Sequence, residues 1–283
     1  MPDVDLVTLA DAGTFVSHEH QAHLAETVGL RAGRIDPATS TFVFTDTAGA
    51  ERAVRAHLIG TASPEDGTWL WGWRNINGFP PAFVRWSERV RALGERYGIP
   101  ELTTGTLPLD DGLPLRLVNA VKALTGVTAH VATPIGNGQT RAFLLLDDPS
   151  LALPPPTAAR AVAVVTSALA GGEATDHRRA LAAWAEQRGV PLTRVDTEVE
   201  QLTLTDGSLQ VRFDASGRIA GLGRRLRGAP RPAPSPEPGP SPEPPRPAAA
   251  AAEPESEPPS GAEAPERVGP PPRRGLLQRL LGR

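Results

Sequence analysis

Three tryptophans stand at alternate positions, Trp69-Leu70-Trp71-Gly72-Trp73, with Arg74 and Asn75 behind them. An extended strand turns successive side chains to opposite faces. This spacing therefore predicts all three indoles on one face and Leu70, Gly72 and Arg74 on the other. So much aromatic surface on one side commits the strand to a sheet with a covered face. The cover is either a heavy core contact with helices or the wall of a ligand pocket, and the spacing alone leaves both open. In the pocket reading Trp71, Trp73 and Asn75 line it, together with His57 from a neighbouring strand. In the core reading Arg74 and Asn75 satisfy backbone groups of the turn that follows.

Around that strand the hydrophobic pattern reads as an α+β protein. Residues 4–29 suit one helix, with Leu6, Leu9, Phe15, Leu24 and Val28 buried, Gly13 weakening it and Gly29 ending it. Residues 41–45 and 52–61 suit two strands that join the tryptophan strand in an antiparallel meander. Asn77-Gly78-Phe79-Pro80-Pro81 breaks the chain. A helix then runs to about Tyr97, with Phe83, Trp86, Val90 and Leu93 at helical spacing. Another helix is expected over 114–125. A hairpin of strands 127–134 and 140–147 follows, turning at Gly136-Asn137-Gly138.

The run Ser63-Pro64-Glu65-Asp66-Gly67-Thr68-Trp69-Leu70-Trp71-Gly72-Trp73-Arg74-Asn75 resembles the signature of a bacterial, mainly actinobacterial, family of unknown function with a W-x-W-x-W-x-N strand. The order of elements is similar too: a leading helix, this strand, helices, then a closing hairpin. The likeness covers the chain to about Pro149 and implies a domain, with no catalytic or binding residues attached to it.

Past Pro154-Pro155-Pro156 the pattern restarts. A helix of small apolar residues from Ala158 precedes a second from Thr175, read as its N-cap, to Gly189. Strands over 199–205, 209–214 and 218–222 follow, with an Asp206-Gly207 turn. The expected organisation is an α+β domain over 1–155, then a helix-pair plus β-meander unit over 156–227. That unit reads as a separate domain or as an extension of the first sheet, the former slightly favoured. Residues 228–272 are Pro, Ala, Glu, Ser and Gly with few apolar side chains. They cannot bury enough surface to offset the entropy of ordering, so a disordered linker is expected. The sequence ends Arg273-Arg274-Gly275-Leu276-Leu277-Gln278-Arg279-Leu280-Leu281-Gly282-Arg283. Helical spacing gathers the four leucines on one face, with Arg279 and Arg283 largely off it.

Composition excludes several chemistries. There is no cysteine, so disulfides, thiolate metal sites and cysteine nucleophiles are absent. Lys122 is the single lysine, and with abundant Ala, Gly and Pro it suggests a GC-rich genome. From Gly228 onward seven arginines cancel seven glutamates, which leaves the net charge of −3 on the remainder. A mildly acidic body argues against nucleic acid as a partner. The acidic start Met1-Pro2-Asp3-Val4-Asp5 lacks the plan of a signal peptide, and no apolar run reaches the ~20 residues that span a bilayer. A cytoplasmic protein is expected, with a peripheral position at the inner membrane face as a variant.

The remaining candidate groups have plain structural readings. His18-Glu19-His20-Gln21-Ala22-His23 does not have the HExxH spacing, and only His20 and His23 are helix neighbours, so a solvated helix face is expected rather than a metal site. His57 and His130 both fall on strands and form an acid/base pair only if the sheet aligns them. Asp110-Asp111 and Asp147-Asp148 suit turns and caps rather than paired catalytic carboxylates. The chain has neither a P-loop nor a G-x-S-x-G elbow. No cofactor is expected.

Two functions compete. In the first, a non-enzymatic binding or adaptor protein docks on a partner protein or an anionic membrane surface through Leu276, Leu277, Leu280, Leu281, Arg279 and Arg283. Exposed leucines on a long tether need such a partner, unless they dock back on their own domain. In the second, a small-molecule-binding protein or enzyme uses a pocket beside Trp71, Trp73, Asn75 and His57.

Overall fold

The computed structural model describes residues 4–28, 33–127, 129–136 and 138–226. The expected linker over 228–272 and docking helix over 273–283 lie outside them. The chain opens with α1 (Leu6–Val28), β1 (Gly33–Asp36), β2 (Thr41–Thr45), β3 (Glu51–Ser63) and β4 (Thr68–Trp71). A 3₁₀ turn over Gly72–Arg74 leads to α2 (Pro81–Tyr97), α3 (Pro100–Thr103), β5 (Thr106–Pro108) and α4 (Leu113–Thr125). Then come β6 (Ala129–Ile135), β7 (Thr140–Leu146), α5 (Ala158–Gly171) and α6 (His177–Arg188). The series closes with β8 (Leu192–Arg194), β9 (Val199–Leu204), β10 (Gly207–Phe213) and β11 (Ile219–Leu226).

This is the expected α+β architecture, and every strand pairing among the described residues is antiparallel. Two sheets form. The first has seven strands, with path β1-β2-β3-β4-β5 and with β7 joined to both β3 and β6. The second has four strands in the order β11-β10-β9-β8. The short strands β1, β5 and β8 and the single turn α3 were not anticipated. Each is three or four residues long, too brief to show a period.

The long strand β3 organises the first sheet. It pairs with β2 through residues 51–55, with β7 through 56–62 and with β4 through 60–63. A bulge between Leu58 and Gly60 shifts its register against β7. One face carries Trp69, Trp71, Phe143 and Leu145 into a core with α2, α4 and the start of α1. The other carries Leu58, Ala142 and Leu144 into a separate cluster with Phe42, Phe44 and Phe83.

The tryptophan strand stops earlier than its spacing predicts. β4 ends at Trp71, and Trp73 lies on the 3₁₀ turn. Gly72 sits so close to β3 that a Cβ there would lie 2.8 Å from the Leu58 carbonyl oxygen. Asn75 then takes a left-handed conformation, with φ of 42°, and reverses the chain. Trp73 is half-buried with the Arg91 guanidinium 4.7 Å from its ring centre. Trp69 and Trp71 are fully buried, edge to face at 5.6 Å. Of the two covers open to the sequence, these two indoles have the helical core.

α1 belongs to several cores at once. Leu6 and Leu9 enter the tryptophan core, Phe15 and Val16 enter the core beneath the second sheet, and Leu24 joins the cluster on the other face of the first. α4 crosses it so closely that a Cβ on Gly13 would fall 1.9 Å from the Asn119 carbonyl oxygen. That close approach explains a glycine which helix propensity alone disfavours. At α6 the N-cap is Asp176, whose side chain accepts from the Arg179 N–H, and not Thr175. Thr175 instead donates from its backbone N–H and its hydroxyl to Asp11 of α1.

Candidate functional site

A cavity of about 330 Å³ opens on the first sheet, on the face away from the tryptophans. Leu58 and Thr61 of β3, Leu70 of β4 and Ala142 of β7 form its floor. Thr61 stands directly opposite both Leu70 and Ala142, so the three share one cross-strand row on one face. Phe79 and Phe83, in edge contact at 5.4 Å, wall one side, and Ile35, Pro37 and Ile135 wall others. The 3₁₀ turn and the loop to Ile76 and Asn77 make the lip. Ile76 is 69% exposed there. The lining is apolar apart from a few groups, chiefly the Thr61 hydroxyl and the amides of Asn75 and Asn77. That composition and size fall at the small end of ligand pockets, roughly 300–1,000 Å³.

This cavity takes in two of the four residues named for a pocket, Trp71 and Asn75, and opens on the face away from Trp69. Trp71 borders the cavity, but its indole is buried and its Nε1 donates to the Glu101 carbonyl at 2.9 Å. Trp73 does not line it. Asn75 is on the lip, where its Nδ2 donates to the Phe79 carbonyl at 2.9 Å and its Oδ1 accepts from the Phe79 N–H at 2.7 Å. That clamp fixes Phe79 against the cavity, so Asn75 shapes the site through the turn. His57 faces the helices: its Nδ1 lies 2.8 Å from the Ala82 carbonyl, and its Nε2 is 3.8 Å from Asp147 Oδ2. Burial holds its pKa below the ordinary range. Asp147 pairs with Arg85 at 2.5 Å. Leu276, Leu277, Leu280, Leu281, Arg279 and Arg283 lie outside the described residues.

Leu70 carries the floor of the cavity, and the tryptophan alternation had already placed it on the face opposite the indoles. The missing signal was the bulk of the helices, which claim the indole face first. The large rings take the deep side, and the smaller Leu70–Thr61–Ala142 row leaves space on the shallow side.

The histidines form no acid/base pair. His57 and His130 both stand opposite Leu145 on β7, in one row and on one face, with that strand between them. Two strand spacings separate them by roughly 10 Å. His130 instead meets Lys122, whose Nζ is 2.7 Å from His130 Nδ1 and donates to Ser17 Oγ at 2.5 Å. Burial lowers the Lys122 pKa to about 7, with the Glu173 carboxylate working against it. An amine of that pKa beside a hydroxyl has the parts of a general base and nucleophile. Yet Lys122, Ser17 and His130 are all buried, and none of them lines the cavity. Their contacts tie α1 to α4 and β6.

The same seam corrects the solvated reading of His18-Glu19-His20 at Glu19. Glu19 is fully buried and accepts from Trp184 Nε1 at 2.8 Å, with Arg188 Nε 3.0 Å away. His18 contacts Ser167 Oγ at 3.0 Å through Nδ1 and Glu173 at 3.5 Å through Nε2. Burial, with the charges of Lys122 and Arg188, lowers the His20 pKa to about 3. Glu19 is enclosed because α4 and α6 both pack on α1, while His18, His20 and His23 are half-buried. Among the described residues no group of three or more His, Cys, Asp or Glu is placed to hold a metal ion.

Asp110 accepts from the backbone of Gly112 and Leu113 and from Arg116, and Asp148 accepts from the Ser150 N–H. Both therefore act as local caps. Among the described residues no helix is long and apolar enough to cross a membrane. No curated protein and no solved structure matches the chain. Residues 7–149, which hold the tryptophan strand, the cavity floor and the α1–α4 crossing, match a family of unknown function (DUF6882), and the chain belongs to that family.

Proposed function

We propose that this chain is a binding protein whose first sheet holds a small apolar group in the cavity over Leu70, Thr61 and Ala142. The observation that supports it most is the cavity itself: about 330 Å³, nearly all apolar, beside an exposed isoleucine on a left-handed turn. Apolar burial supplies the affinity, and the Thr61 hydroxyl and Asn77 amide orient one polar end of the guest. The lining residues include no titratable side chain to activate the Thr61 hydroxyl and no metal-ligand set, which favours holding a guest over transforming it.

The test uses octanoate as the probe, with amide NMR of the full chain. Saturable shifts are expected at Thr61, Leu70 and Ala142, and they should disappear in Ala142→Phe, which fills the floor. Linear, unsaturable shifts, or shifts centred elsewhere, would remove this reading.

A second reading is supported by the sequence of residues 273–283, whose leucine ridge and arginines suit docking on a partner protein or the inner membrane surface. In that role the body is cargo, and removal of 273–283 redistributes a fluorescent fusion in cells.

A further inference from the structure

The cavity is apolar, and the same chain carries leucines at 276, 277, 280 and 281 whose helical spacing would make an apolar ridge. We infer that residues 276–281 are the resident occupant of the cavity, so that the body holds its own tail until a guest or partner displaces it. This rests on the cavity being a binding site, as proposed above.

Three observations carry the inference. First, helical spacing would gather Leu276, Leu277, Leu280 and Leu281 on one face. A short amphipathic stretch is marginal as a helix in water alone and gains structure by burying such a face. Second, the cavity offers a matching apolar floor and walls, and its lip exposes Ile76, a large apolar side chain with 69% of its surface open. A leucine ridge across the mouth covers Ile76 as well as filling the space behind it. Third, the tether is long enough. β11 ends at Leu226, and the expected linker then runs to residue 272. A flexible chain of that length reaches about 40 Å. A folded body of roughly 220 residues has a radius of gyration of about 17 Å. Every face of the body is thus within reach, at an effective concentration on the order of millimolar. A freely diffusing competitor meets that concentration as a handicap.

The chain has no cysteine, so a double variant can make only one intramolecular bridge. In the full chain, Ile76→Cys with Gln278→Cys is oxidised at high dilution and compared with Val195→Cys with Gln278→Cys. Val195 is also exposed, at 53%, and does not line the cavity. Bridging within one chain is expected at least roughly tenfold faster for the Ile76 pair, because a disulfide needs the two Cα atoms within about 7 Å. Adding Leu277→Asp and Leu280→Asp should bring that rate down to the control. Equal rates for the two pairs would overturn the inference. So would bridges formed only between chains, which would make the occupant a second copy.

Octanoate separates this idea from the one beneath it. Full chain carrying only the two aspartates should bind octanoate several-fold more tightly than the unaltered chain, since the resident competitor is gone. Unchanged octanoate affinity, with saturable binding intact, sinks the tail occupant and leaves the cavity as a site. No saturable binding in either chain sinks the cavity reading itself.

Discussion

On the tryptophan strand, Trp69 and Trp71 are buried against apolar neighbours in the helical core. Along α1, Asp11, Thr14, Ser17 and Glu19 are as deeply buried, yet they are polar. The first region gains stability from any well-packed apolar surface. The second is tolerable only because each group has a named partner. Asp11 accepts from Thr175 and Arg179, Glu19 from Trp184, and Ser17 and Thr14 bond to Lys122 and Asn119. Every one of those partners lies more than a hundred residues away along the chain. The difference teaches that burial by pattern is local information, whereas burial by hydrogen bonding is a property of the assembled fold.

The sharpest way to break the comparison is to take a partner from the seam. Glu19→Ala leaves Trp184 Nε1 without the Glu19 acceptor and removes the carboxylate 3.0 Å from Arg188 Nε. A loss of about 3–5 kcal/mol in unfolding free energy is expected by urea denaturation. A loss below about 1 kcal/mol would mean that the seam is wetter than its contacts imply.

Acid should weaken the same region next. His20 has a folded pKa of about 3 against an ordinary 6.5, because burial disfavours the charged ring. Between those values the unfolded chain binds the proton and the folded chain does not. The stability that depends on a neutral His20 is therefore complete above pH 6.5 and drains away as pH falls towards 3. From pH 6.5 to 5 this one ring accounts for about 2 kcal/mol. His130 shifts in the same direction, again by burial. In His20→Gln the fall in stability over that range should be visibly shallower. Parallel pH curves for the two proteins would reject the assignment.

The smallest effect belongs to the sheet. A Cβ at Gly60 would sit 2.4 Å from the Trp69 ring. Gly60→Ala should therefore cost about 1–3 kcal/mol, as overpacking does. Introducing it into Trp69→Phe, where the ring is smaller, should cost less. A double-mutant cycle with a coupling of at least 0.5 kcal/mol is expected, and strict additivity would show that strand and ring are not in contact.

Much of this fold could be read directly from the chain. α1, α2, α4, β2, β3 and the β6–β7 hairpin all fall close to their predicted spans, because each is long enough to show its period. Trp69 and Trp71 share a face as alternation requires, and Leu70 takes the other. What alternation could not supply was which face the helices cover. The candidate pocket was therefore placed beside the indoles, whereas the cavity lies over Leu70, Thr61 and Ala142. Asn75 reached the lip as expected of a turn residue, but His57 and Trp73 did not reach the cavity. The reading of a solvated helix face failed at Glu19 for the same reason. Nothing near that residue in sequence announces that α4 and α6 will both pack on α1.

The amino-acid order alone determined the periods, the turns and the absence of thiol chemistry, since these depend on composition or on neighbours a few residues apart. Tertiary structure alone decided which sheet face holds a cavity, that the single lysine is buried beside Ser17 and His130, and that Glu19 of α1 is enclosed. Those outcomes depend on which distant surfaces meet. The free energy of burying a polar group is fixed by the partner it finds there, not by its own place in the chain.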